Sequence, residues 1–368
     1  MTSRREFVQA TTVAGLAAVS LDLKTLFAAP AKPLRILFLG GTGFIGPHQV
    51  EYAIARGHTV TLFNRGKSNP NIFPGVEKLE GDRDGKLDAL KGREWDAVID
   101  NSGYVPRHVR MSAELLKGKV GQYLFVSTCG IYQAMYDGSW PAGGVHEGSP
   151  KAPLPEPGSE EVNKYYGPLK VLCEEEVSKA FPTGATLIRP GLIVGPGDPT
   201  DRFTYFPVRA AQGGEMLAPG SATDPILYTD ARDLSAFCVH LLEQKTTGPF
   251  NVIGPKGTLT MGELLEACRK ETKSTVRYSW VPGDFLEKNG VHPMGLFPWV
   301  SATGSAAGAS HFQRSAAFGA GLKFRPVAET VRDTMTWFRT LPAERQAKLV
   351  GGLPAAKEQE VLAAWHKQ

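Results

Sequence analysis

Cysteine is scarce in this chain of 368 residues, and its four copies stand singly, with no CxxC pair and no histidine at metal-ligand spacing. Cys129, Cys173, Cys238 and Cys268 therefore read as small buried hydrophobes, not as a disulfide frame or a metal site. No apolar run approaches the roughly 20 residues that a membrane-spanning helix needs, and no heptad or longer repeat appears. Charge of one sign is missing too. The formal net charge is +4 and dispersed, which leaves out the basic stripe of a nucleic-acid binder or of an anionic membrane surface. What remains is the composition of an ordinary globular protein, 42% hydrophobic and 21% charged. Glycine is common, at 41 residues, so a glycine motif counts only where its neighbours support it.

The first thirty residues read as an address. Ser3-Arg4-Arg5-Glu6-Phe7-Val8 resembles a twin-arginine export motif, a short apolar run from Val8 to Leu21 follows, and Ala29-Pro30-Ala31 offers a small-x-small cleavage site. Residues 1–31 are accordingly expected to be a signal recognised by the twin-arginine machinery, with the mature protein periplasmic or otherwise exported and not inserted in the membrane.

Directly after it, Leu34 to Leu39 has the nearly all-apolar character of a buried parallel strand, and Gly40-Gly41-Thr42-Gly43-Phe44-Ile45-Gly46 follows at once. A helix to Arg56, closed by Gly57, and a second strand from His58 to Phe63 complete a strand–turn–helix–strand unit. In that setting the glycines let backbone approach a pyrophosphate, and the helix N-terminus supplies free N–H groups and a positive dipole end. Gly40, Gly43, Phe44, Ile45 and Gly46 are thus candidate contacts for NAD or NADP. The second strand ends in Asn64-Arg65 with no carboxylate, which leans towards the 2′-phosphate of NADP. Asp82, after a third strand near Val76 to Glu80, is a candidate adenine contact, and Ala97 to Asp100 reads as the fourth strand.

A fifth strand, Gln122 to Ser127, runs into Thr128, and Tyr166-Gly-Pro-Leu-Lys170 lies further on in a helix. Tyrosine and lysine at i and i+4 share one helix face. An ammonium there favours the phenolate and draws a phenol of ordinary pKa about 10 towards the working range. Thr128 could hold the substrate oxygen while Tyr166 gives or takes its proton, with hydride moving separately to or from a nicotinamide.

Together, Gly40 to Gly46, Phe125-Val-Ser-Thr128, Tyr166 to Lys170, Ile188-Arg-Pro190 with Val194-Gly-Pro-Gly-Asp198, and Tyr228 to Leu234 resemble the extended short-chain dehydrogenase/reductase superfamily, in its NAD-dependent epimerase/dehydratase group. The Phe63-Asn-Arg-Gly-Lys67 flavour is similar to an atypical branch that includes chloroplast stem-loop-binding proteins, a branch in which fold does not fix function. The resemblance implies an α/β fold, a doubly wound parallel sheet over residues 32–190. A smaller substrate lobe over 191–340 interleaves with the last sheet strands, and a helical tail covers 341–368. It also implies Tyr166 as acid/base, Lys170 on the nicotinamide ribose and tuning Tyr166, Thr128 polarising the substrate, and, by analogy, a homodimer.

In the second half, Arg202 and Tyr205 are candidate holders of a polar or anionic substrate group, while Asp230 and Asp233 around Arg232 read as a helix cap with an ion pair. The Gly/Pro-rich stretch 133–160 is expected to be a lid or a disordered loop, Ser301 to Ser310 a flexible turn, and the tail two helices broken at Gly351-Gly352. Export favours a tightly held cofactor regenerated within each turnover, as in epimerisation of a sugar or polyol. A plain NADP-dependent reductase and a non-catalytic binder on the same fold are the competing expectations.

Overall fold

The computed structural model describes residues 32–255, 257–301 and 311–368. The expected signal and cleavage site (residues 1–31) and most of the expected turn at 301–310 lie outside the described residues.

Seven parallel strands form the main sheet: β1 (Arg35–Leu39), β2 (Thr59–Asn64), β3 (Glu77–Glu80), β4 (Ala97–Asp100), β5 (Gln122–Val126), β6 (Ala185–Pro190) and, after an excursion into the second lobe, β7 (Gly248–Val252). Their spatial order is β7-β6-β5-β4-β1-β2-β3, so the winding reverses between β1 and β4. A crevice for a ligand opens outside the strand C-termini at such a reversal. The apolar run of β1 is explained by burial on both faces. Ile36 and Phe38 enter one core with Ile99, Leu124 and Val126, while Leu37 and Leu39 enter the opposite core with Val98, Tyr123 and Phe125. Helices α1 (Ile45–Ala55) and α4 (Ala231–Glu243) cover the first face, and α2 (Pro106–Leu116) and α3 (Val162–Ala180) the second.

The α3 helix carries Pro168, which would break a helix interior. Tyr165 leaves helical geometry at φ −124°, ψ 34°, so the regular helix starts afresh at Tyr166 and Pro168 falls in its first turn, where a missing N–H costs nothing. Tyr166 and Lys170 keep their one-turn spacing along this restarted helix.

The second lobe has its own core around Phe203, Phe206, Met216, Leu264 and Trp299, with two short parallel strands, Glu215–Pro219 and Arg277–Val281, and the helices Tyr205–Ala211, Met261–Thr272 and Val327–Phe338. Thr260 and Glu263 form a reciprocal capping box that starts the Met261 helix. The tail makes two helices, Ala343–Ala347 and Ala355–Trp365, with Leu362 buried and Trp365 edge-on to Phe285 at 5.1 Å. Asp230 caps α4 through the Arg232 N–H at 2.9 Å and pairs with its guanidinium, while Asp233 takes Arg325. The stretch 133–160 is not disordered but held to the body of the protein at several points. Bridges Tyr132–Lys151 and Val145–Phe312 pin it, and buried Arg189 reaches the Glu147 carbonyl at 2.7 Å. Arg189 also forms a fully buried pair with Glu174 at 2.8 Å and donates to the Tyr132 hydroxyl oxygen at 2.9 Å, tying α3, β6 and this stretch together. Cys129, Cys173, Cys238 and Cys268 are all free thiols, three of them buried.

Candidate active site

Gly40 and Gly41, at the end of β1, adopt φ +107° and +94°, a region that a side chain strains. Gly46 packs its backbone on Gly41: a Cβ there would sit 2.5 Å from Gly41 backbone atoms. Gly43, in contrast, is exposed and faces open space at the mouth of the turn. Ile45 begins α1, and Phe44 lies edge-on to His48, whose Nε2 is 2.7 Å from the Pro196 carbonyl oxygen. The cradle is thereby closed against the segment after β6. Beside Gly40 sits Asn101, whose side-chain Oδ1 is buried without a hydrogen-bond partner among the described residues. A glycine cradle at a helix N-terminus with an unsatisfied buried amide at its edge fits a dinucleotide phosphate and ribose.

At the far rim, Asn64 Oδ1 accepts the Gly66 N–H at 2.8 Å, and Arg65 is exposed with no partner among the described residues. Asp82 closes its own turn, accepting the Asp84 N–H at 3.1 Å. A residue that sequence reasoning overlooked stands here. The β2–β3 register sets Glu80 opposite Asn64, and its carboxylate lies so near Gly66 that a Cβ on the glycine would meet it at 3.4 Å. An acidic group thus stands beside the end of β2 after all, supplied by the neighbouring strand.

Thr128, directly after β5, takes the Gly130 N–H on its Oγ1 at 3.1 Å, leaving its own O–H free to donate. Partial burial of the Tyr166 phenol, followed by Tyr104 and Cys129, pushes its pKa above the ordinary tyrosine value although the ring keeps an exposed face, and the nearby Thr128 works weakly the other way. The balance is upward. The expected activation of the phenol by Lys170 is therefore not what governs it here. Lys170 is 2% exposed and donates to the Gly103 carbonyl at 2.8 Å and the Val126 carbonyl at 2.6 Å, between the Phe125 and Tyr104 rings at 4.2 and 5.2 Å. Burial lowers its pKa to about 8. Tyr104 also tilts against Tyr166 at 6.3 Å, so the crevice shows two partly exposed phenols side by side. Neither Tyr104 nor Gly103 carried a sequence signal, because the loop after β4 matches no motif.

Gly167 has a steric reason for being glycine: a Cβ there would lie 2.0 Å from the Gly130 carbonyl oxygen and 2.1 Å from the Tyr136 hydroxyl. The Thr128 turn and the Tyr166 helix thus approach at backbone contact. Beneath them, Arg83, Asp100, Ser112 and Tyr123 form a buried network, with Arg83–Asp100 at 2.5 Å and Tyr123–Asp100 at 2.7 Å, that steadies the β4 end.

Arg202 is half-buried, anchored by Nε to Thr200 Oγ1 at 3.1 Å, and within electrostatic reach of the Tyr166 hydroxyl. Tyr205 is not at the crevice. It is 3% exposed in the lobe core, its hydroxyl buried without a partner and its ring covered by Gly352, and so cannot touch a substrate. Its apolar neighbours Phe203 and Phe206 draw the whole first turn of that helix inward.

Among the described residues no helix is long and apolar enough to cross a membrane, and no group of three or more His, Cys, Asp or Glu could hold a metal ion. The sequence matches the NAD dependent epimerase/dehydratase family over residues 36–254. It is 27% identical over 263 residues to the chloroplast stem-loop binding protein of 41 kDa b of Arabidopsis thaliana, a match covering 67% of this chain and 65% of that protein's length. Among solved structures, Bordetella bronchiseptica WbmH in complex with NAD+ superposes with a TM-score of 0.60 at 17% identity, covering 84% of this chain and 100% of the other. The Thermus thermophilus UDP-glucose 4-epimerase complex with NAD gives 0.57 at 20%, again over 84% and 100%. At these identities the structures share the fold.

Proposed function

The chain belongs to the NAD dependent epimerase/dehydratase family, and on that premise we propose that it is an NAD(P)-dependent epimerase or oxidoreductase acting on a carbinol of a sugar or polyol-like molecule. The observation that carries the proposal is the backbone contact between the Thr128 turn and the Tyr166 helix at Gly130 and Gly167, which brings both side chains to one end of the sheet with the glycine cradle. A nicotinamide dinucleotide held by Gly40, Gly43, Phe44, Ile45 and Gly46 would supply hydride acceptance and return. Thr128 donates a hydrogen bond to the substrate oxygen and fixes its distance from Tyr166, which takes the carbinol proton and returns it. Since the phenol is raised by burial, proton removal needs a positive charge nearby. Lys170, one turn behind and with its pKa lowered by burial to about 8, is the group that would provide one, and it would also stand close to the nicotinamide ribose of a bound dinucleotide.

For the nucleotide, the Glu80 carboxylate beside Gly66 favours a 2′-hydroxyl and hence NAD, which the WbmH and Thermus structures hold; exposed Arg65 is the feature that admits NADP. Asp82 remains a candidate at the adenine. We take residues 1–31 as a signal read by the twin-arginine export machinery, a small molecule as the substrate, a homodimer as the assembly, and the cofactor as tightly bound. The likeness to a stem-loop binding protein keeps a binding role without catalysis as the second reading.

The test is to purify the protein without added nucleotide, denature it, and identify what is released by mass spectrometry. Near-stoichiometric NAD supports the closed cycle. In parallel, Tyr166→Phe should retain the nucleotide and lose turnover by about a hundredfold or more. A protein that neither carries nor binds NAD or NADP refutes the enzyme reading and promotes the binder.

A further inference from the structure

One cationic side chain near Tyr166, Arg202, is held by its Nε alone. Asp201, fully buried at φ +55°, is gripped by the tail: Arg345 reaches its carboxylate at 2.7 Å and the Val350 N–H at 2.8 Å. Gly351 lies against the backbone on either side, since a Cβ there would sit 2.5 Å from the Thr200 carbonyl oxygen and 3.1 Å from the Arg202 nitrogen. Asp198, 1% exposed, holds Thr200 through its N–H at 2.9 Å and its hydroxyl at 2.7 Å, and Thr200 in turn receives Arg202 Nε. These contacts together fix the backbone at Arg202 and the Nε of its side chain. Its fork is left over: among the described residues Nη1 and Nη2 have no hydrogen-bond partner, although the guanidinium is half-buried and interacts with Tyr166.

A guanidinium held by its Nε, with its fork free of protein partners and open to solvent, is pre-organised to receive a planar anion with little further loss of rotamer freedom. We propose that Arg202 anchors a carboxylate carried by the substrate close to the carbinol that Tyr166 addresses, which makes the substrate a sugar acid or related hydroxy acid and not a neutral sugar. The proposal rests on the assignment of Tyr166 given above. A planar carboxylate matches the free fork with two parallel hydrogen bonds. A phosphate dianion suits the place less well. There is a single guanidinium to neutralise it, and the Asp198 carboxyl stands in its electrostatic neighbourhood. The tail, beyond the part of the chain that matches the family, contributes by pre-setting the arginine through Asp201.

The experiment is calorimetric titration of the nucleotide-loaded protein with D-glucuronate, D-galacturonate and D-gluconate. Each is compared with its neutral counterpart, D-glucose, D-galactose or D-glucitol, and with glucose 6-phosphate. At least one acid should bind about tenfold or more tightly than its counterpart and than the phosphate. Arg202→Met should erase that preference, Arg202→Lys should keep part of it, and Tyr166→Phe should keep it while losing reduction of the bound nucleotide at 340 nm. Equal or tighter binding of the neutral compounds or the phosphate, no acid binding at all, or a preference unchanged in Arg202→Met overturns the proposal. Acid-selective binding that depends on Arg202 in a protein that never reduces its nucleotide would sustain the anchor and refute the catalytic reading instead.

Discussion

Replacing Lys170 by methionine separates what this side chain does for the crevice from what it costs the fold. Methionine keeps most of the stem, so packing changes little, but the ammonium and its bonds to the Gly103 and Val126 carbonyls are lost. Leaving two buried carbonyls without a charged donor costs about 1.5–3 kcal/mol each. Against this, the wild type bears the penalty of a buried charge. Its lysine titrates at about 8 in the folded protein against the ordinary 10.5, a displacement equivalent to roughly 3 kcal/mol at about 1.4 kcal/mol per pH unit. The sign follows from proton counting. Below about pH 8 both folded and unfolded chains hold the proton and the penalty is complete. Between about 8 and 10.5 the unfolded chain binds more protons, so wild-type stability rises with pH through this window relative to the variant. At pH 7 the variant should therefore lie within about 3 kcal/mol of wild type. By pH 10 its deficit should grow by roughly 2–3 kcal/mol, since the neutral amine still donates to both carbonyls. Urea unfolding of the two proteins at pH 7, 8, 9 and 10 measures the difference, in which all other titrating groups cancel. A difference that stays flat across the window, or shrinks, would refute the picture of a buried ammonium with a depressed pKa.

Two other substitutions probe the scaffold of the site. Gly167→Ala should push the Thr128 turn off the Tyr166 helix, costing about 1–3 kcal/mol and lowering Tm by several degrees, because its Cβ meets a carbonyl oxygen and not a yielding side-chain end; calorimetry checks it, and an unchanged Tm would show that the turn can move freely. Glu174→Ala should cost about 3–5 kcal/mol by stranding buried Arg189, read from the urea midpoint at neutral pH. Arg189 holds the Glu174 carboxyl below its ordinary range despite burial, so this contribution is present at neutral pH and disappears as the pH falls through that lowered value.

Much of this was legible in the sequence because it is local. The alternation of two cores along β1 needs only a run of apolar residues, the cradle only glycines between a strand and a helix, and the Tyr166–Lys170 pairing only a helical period. Asp230 was readable as a cap for the same reason. The misses come from contacts between segments distant along the chain. Tyr205 looked like a crevice residue beside Arg202, yet Gly352, from the tail, seals it into the lobe core. The stretch 133–160 looked loose by composition, yet Arg189 and Phe312 hold it down. Glu80 stood outside the expected ribose position until strand register set it beside Asn64.

The sequence by itself therefore determined the strand–turn–helix grammar of the first lobe and the identity of the groups that could handle a proton, since both depend on near neighbours. Only the tertiary structure decided their state: Lys170 with its pKa lowered by burial, Tyr166 raised instead of lowered, Arg202 held by its Nε with its fork free of protein partners. Desolvation and electrostatic coupling depend on what surrounds a group in space, and for each of these three the surroundings arrive from segments far along the chain.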